Sequence, residues 1–199
     1  IKKTDLNNAK SINDFFDEEH INRIEKLNSV SIILVIDDKQ SEIREVDKNK
    51  MLNKKQLALL QSLDYSTNFI IRTDYLEKNK ISGMLEHNYS TPHLTLVPEK
   101  QASHFMAKET LKSYFKENCK DLLANVDPEK LLPAKMYFTV TNTGEVENVR
   151  LDRPSGYPDI DNRMMELMKN LPGTWEPAEN SNGKKVAQEL VVSFGLMGC

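Results

Sequence analysis

From Ala134 onward the chain alternates, then turns periodic. Met136, Phe138 and Val140 are separated by Tyr137, Thr139 and Thr141, the period-two pattern of a strand with one buried face. Asn142-Thr143-Gly144 predicts a tight turn, and Glu145 to Leu151 the returning strand. Its apolar positions are Val146, Val149 and Leu151, so the alternation changes phase; a bulge near Glu147-Asn148 would restore both valines to the core. Pro158 and Asp159 announce a helix with Ile160, Met164, Leu167, Met168 and Leu171 along one stripe, and Pro172-Gly173 stops it. After the polar loop Asn180-Ser181-Asn182-Gly183, a last strand places Val186, Leu190, Val192, Phe194 and Leu196 on one side. Ahead of this series, Leu111, Tyr114, Phe115, Leu122 and Leu123 predict one helix that carries Cys119 and ends before Asp127-Pro128.

The first half follows a similar order. Ser11 with Asp14 forms a capping pattern, and Ile12, Phe15, Phe16, Ile24 and Leu27 make a helical stripe. Val30 to Ile36 is rich in β-branched residues and is expected to be a strand buried on both faces, closed by Asp37-Asp38. A charged return passes Ile43 and Val46. Asn53 with Gln56 reads as a capping box opening a helix at Leu57 to Leu63. A strand from Asn68 to Asp74, a turn region from Glu77 to Gly83, and strands from Gly83 to Asn88 and Thr91 to Val97 complete the series. Strand, strand, helix, strand thus occurs twice, between Val30 and Asp74 and between Lys135 and Leu196. Either a degenerate tandem repeat or the commonness of that order in small α+β domains accounts for it. The expectation is an α+β protein of two subdomains, 1–101 and 102–199, the second a helix–hairpin–helix–strand unit with a small antiparallel sheet.

Composition narrows the chemistry. The 199 residues carry a net charge of −3 with 39% hydrophobic residues, enough for a core and without the basic field that favours nucleic acid or anionic lipid. No run is long and apolar enough to span a bilayer. His87, His93 and His104 match no familiar zinc spacing, no glycine loop would cradle a phosphate, and no nucleophile stands beside a base. The expectation is therefore no enzyme, no cofactor, no metal and no nucleic acid. Asp37 and Asp38 read as a solvated strand end rather than an acid–base pair. Cys119 and Cys199 are the only cysteines; two free thiols and a bridge between them both remain open. Trp175 is expected mostly buried against the sheet with its indole nitrogen bonded nearby. Met164 and Met168 lie on the buried stripe, leaving Met165 as the exposed contact.

The second half also carries a family likeness. Phe138 to Leu151, then Ser155-Gly156-Tyr157-Pro158 with Asp161, Trp175-Glu176-Pro177-Ala178, Gly183-Lys184 and Ser193-Phe194-Gly195 resemble the TonB C-terminal domain family, in the form common in Bacteroidetes-type envelopes. The resemblance implies a periplasmic protein-binding module that docks on outer-membrane, TonB-dependent transporters and is driven by inner-membrane motor proteins. In that family the final strand lies at a sheet edge to which a transporter peptide adds as a further strand. The matching segment is Ala187-Gln188-Glu189-Leu190-Val191-Val192-Ser193-Phe194, with Gln188 or Glu189 expected exposed to deter unwanted pairing. Because the chain begins Ile1-Lys2-Lys3, a membrane anchor is expected ahead of it. The family's Tyr-Pro pair has no counterpart, the nearest residues being Tyr114-Phe115, and no Pro-rich linker occurs in the chain. Domains of this fold also occur outside dedicated transducers, so a structural or sensory envelope domain is the alternative.

Overall fold

Local signals place most of the elements. α1 (Lys3–Asn8) leads to a 3₁₀ turn at Ile12–Asp14, where Ser11 and Asp14 close the expected capping box. The helix does not run on through Phe15 and Phe16 as their spacing predicts. Asp17 caps a separate helix, α2 (Glu18–Arg23), by accepting from the His20 amide, and Leu27 already lies in β1 (Lys26–Ile36). Asp37 and Asp38 both take left-handed backbone, φ 50° and 57°, so they are the hairpin turn itself rather than a strand end. β2 (Lys39–Asp47) returns beside β1, and the Asn53–Gln56 capping box opens α3 (Lys54–Gln61). β3 (Asn68–Lys78), β4 (Leu85–Ser90) and β5 (His93–Thr95) follow.

The computed structural model describes residues 1–104, 108–124 and 126–195. The chain is α+β and divides into two units, Ile1–Val97 and Pro98–Cys199. Residues 98–101, expected in the first, join the second because the Lys100 and Glu179 backbones exchange hydrogen bonds.

The first unit holds a five-stranded antiparallel sheet, order β2-β1-β3-β4, with β5 also on β3. β4 and β5 do not pair with each other; they line the same edge of β3 in succession, interrupted at Pro92, which has no amide to give the ladder. Val30 and Ile32 pack with Leu60, Phe69, Ile71 and Leu96 in the core. Ile33 and Ile70, paired on the opposite face, are buried too, so β1 is covered on both sides as its composition predicts. Gln56, fully buried, donates to the Val30 carbonyl.

In the second unit β6 (Ser103–His104) precedes α4 (Lys108–Asn118) and α5 (Lys120–Leu123). The single helix expected here breaks at Cys119, which stands between the two. β7 (Ala134–Val140), β8 (Val146–Arg153), α6 (Pro158–Lys169), β9 (Trp175–Glu176), β10 (Ala178–Glu179), β11 (Lys185–Val186) and β12 (Gln188–Phe194) complete it. The sheet order is β12-β7-β8, all antiparallel. Asn148, φ 52°, marks a register shift between Tyr137 and Thr139, which is the bulge that the phase change of the valines demands. α6 begins with Pro158 in its first turn and buries Ile160, Met164 and Met168 against Met136, Phe138 and Phe194. Asp161 is buried and accepts from the Ser155 amide. Among the described residues no helix is long and apolar enough to cross a membrane.

Candidate functional site

An exposed strand edge offers a row of amides and carbonyls to any extended chain, and folded proteins guard such edges with charge, proline or bulges. β2 is guarded by Lys39, Glu42, Arg44, Glu45 and Asp47. β8 carries two register shifts, one near Arg153 and one at Asn148, and the charges Glu147, Arg150, Asp152 and Arg153. β4 is short and ends before the break at Pro92. β12 has none of these devices. Its seven residues keep an unbroken register with β7 from Gln188 to Phe194, and Glu189 is the one charge. Among the described residues no strand lies on its other side.

The side chains of β12 divide by parity. Gln188, Leu190, Val192 and Phe194 stand opposite Val140, Phe138, Met136 and Ala134 on the core face. Glu189, Val191 and Ser193 stand opposite Thr139, Tyr137 and Lys135 on the other. There Arg150 reaches across β7 to Glu189, 2.9 Å away, with its guanidinium 4.5 Å from the Tyr137 ring centre. Lys135 lies 5.1 Å from the same ring. The single charge on the strand is thereby already paired, and Val191 is 48% exposed beside it.

Two details differ from the expectation. Gln188 is buried, not an exposed guard: its Oε1 accepts from the Ala102 amide at 2.8 Å and its Nε2 donates to Gln101. Even spacing from Phe194 puts it on the core face, where an amide must find partners. Ala187 lies outside the strand, because Val186 leaves to pair with Ala178 in the short β10–β11 ladder. The continuous edge is therefore Gln188, Glu189, Leu190, Val191, Val192, Ser193 and Phe194. Leu196, predicted for the same face, and Cys199 lie outside the described residues.

The contacts of Gln101, Ala102, Tyr137 and Arg150 with this strand were not foreseen. Each joins segments far apart in sequence, and no local spacing marks them. Trp175 is only half-buried, with its ring 5.4 Å from Phe138 and 5.0 Å from His104. Its buried Nε1 finds no hydrogen-bond acceptor among the described residues, against expectation, because the neighbours of the indole are rings. Burial depresses the His104 pKa, opposed by a hydrogen bond with the Pro172 backbone. His87, His93 and His104 are spread over β4, β5 and β6, and no metal-binding group of three or more His, Cys, Asp or Glu forms among the described residues. Cys119 is buried with its Sγ 3.7 Å from the Met164 sulfur. Met164 and Met168 are buried and Met165 is half-buried. Comparison with known proteins finds no matching family model, curated protein or solved structure.

Proposed function

We propose that the second unit is the protein-binding module of a TonB-like energy transducer, acting in the periplasm without catalysis and taking a peptide of an outer-membrane, TonB-dependent transporter as an added strand on β12. The observation that carries this reading is the unguarded edge of β12. Strand addition draws its affinity from main-chain hydrogen bonds and asks little of the partner's sequence. It suits a module that has no cluster of metal-binding residues among those described. The resemblance of Phe138 to Leu151 and Trp175 to Ala178 to the TonB C-terminal domain family supports the choice of partner. Inner-membrane motor proteins are the second class of partner in this reading.

The test is a titration of isotope-labelled protein with synthetic peptides from the periplasmic ends of such transporters, followed amide by amide. Saturable shifts centred on Gln188 to Phe194 and slowed exchange of amides in this strand are expected. If these peptides leave β12 unchanged in a folded protein, the transducer reading is lost. A structural or sensory envelope role then takes its place.

A further inference from the structure

β12 is bare along one side, while β8, at the far edge of the same sheet, carries charges and register shifts. Two copies of this sheet can therefore join through β12 but not through β8. Once they have joined, only the guarded β8 edges remain on it, and growth stops at two copies.

The residues of β12 suit pairing with themselves. An antiparallel pair about a two-fold axis sets residue i of one copy opposite j of the other, and j opposite i. The strand has seven residues, Gln188 to Phe194, with Val191 at the centre. Centred there, every residue finds an opposite: Val191 meets Val191, Leu190 meets Val192, Glu189 meets Ser193 and Gln188 meets Phe194. Each such pair shares parity, so the core faces of the two sheets lie on one side and the outer faces on the other. Leu190 and Val192, half-buried, come together on the core side, and the two Val191 side chains, each 48% exposed, cover one another on the outer side. Glu189, the single charge, faces a serine whose neighbour on β7 is Lys135. The competing arrangements are worse. A parallel, in-register pair sets Glu189 against Glu189. A slip by one residue brings the core face of one copy beside the outer face of the other, and a slip by two leaves the residues at one end of each strand without an opposite.

We propose that two copies of this chain pair antiparallel through β12, centred on Val191, joining two three-stranded sheets into one continuous sheet and sealing the edge until an extended peptide competes for it. The competition rests on the strand-accepting reading of β12; the pairing of copies needs only the bare edge. One strand pair covers less surface than the ~1,600 Å² of a typical stable interface, so the dimer is weak and reversible.

Sedimentation of the full chain from ~10 µM to ~1 mM tests the pairing, with a reducing agent present so that Cys199 cannot cross-link copies. A reversible equilibrium of monomer and dimer, with nothing larger, is expected, and dilution of isotope-labelled protein should shift the amides of Gln188 to Phe194. Val191→Lys and Val191→Glu each set like charges opposite one another at the axis, and each alone is expected to weaken the dimer at least ~10-fold. An equal mixture of the two sets Lys against Glu and is expected to restore it. A chain that stays monomeric up to ~1 mM overturns the proposal. So does a dimer whose dilution shifts lie away from β12, or a mixture of the two variants no more dimeric than either alone. Because the pairing is read without any peptide, the two readings fail separately: a chain that never dimerises and still takes transporter peptides on β12 refutes the pairing and keeps the transducer reading. A dimer restored by mixing that transporter peptides neither bind nor dissociate keeps the pairing and refutes the competition.

Discussion

At Gly144 the backbone takes φ 88°, and a Cβ built there would meet the Trp175 carbonyl oxygen at 2.5 Å. The turn between β7 and β8 is thus held against the segment leaving α6 with no room for a side chain. Gly144→Ala is expected to cost about 2 kcal/mol through a strained backbone and a forced shift, read as a lower denaturation midpoint. Asn148 sits at φ 52° in the bulge of β8. There Asn148→Gly should be close to neutral and Asn148→Val clearly destabilising, because a β-branched side chain resists left-handed backbone; equal midpoints for the two variants would contradict this. Neither the closeness of Gly144 to Trp175 nor an indole nitrogen without an acceptor among the described residues was legible in the sequence. Both depend on how the turn and a distant loop meet.

Among the elements, α3 depends on its cap. The Asn53 side chain accepts from the Gln56 amide and donates to Asp47 at 2.6 Å, while Gln56 Oε1 accepts from the Asn53 amide. Asn53→Ala removes the two bonds made by the Asn53 side chain and should destabilise the first unit by about 1 kcal/mol, measurable by urea melts. The capping boxes at Ser11 and Asn53 and the bulge of β8 were legible because each is written in adjacent residues. The break at Cys119 was not, since the apolar spacing runs on through it. For β12 the element-scale prediction concerns main chain against side chain. Single prolines at Val191 and Val192 place the missing amide on opposite sides of the strand. The variant whose lost donor faced outward should fold and lose peptide binding, whereas Glu189→Gln should bind almost unchanged; undiminished peptide binding by both proline variants, folded, would exclude strand addition. Val191→Lys, which adds the kind of guard carried by β2, should weaken peptide binding without lowering stability.

At the scale of the molecule, each unit has a core and a histidine whose pKa is lowered. His20 is held below its ordinary 6.5 by burial and then by Arg23, stacked on Phe16 and edge-on to Tyr75. His104 is held below it by burial in the second unit. Unfolding lets both regain ordinary proton affinity. Their contribution is therefore full above pH 6.5 and is lost as pH falls from there toward their folded values. Urea midpoints should drop between pH 7.5 and 5.5, and His20→Gln with His104→Gln should flatten that dependence. Asp74, lowered chiefly by its hydrogen bonds from Arg72, and Asp14, lowered by the Lys10 and Ser11 amides, act at lower pH: their stabilisation is present above 3.8 and lost as pH falls through their folded values.

What the sequence determined by itself is the kind and order of elements. Alternation, helical stripes, caps and turn residues act over a few neighbours, and they placed β7, β8, α6, α3 and the bulge at Asn148. The α+β class followed from their order. Only the tertiary structure decided which strand lies at an edge, that β4 and β5 share one side of β3, that Gln188 is clasped by Gln101 and Ala102, and that Arg150 neutralises Glu189. These are pairings between segments far apart along the chain. Their outcome rests on which backbone ladders and apolar faces can be satisfied together in three dimensions, and no local window of residues contains that information.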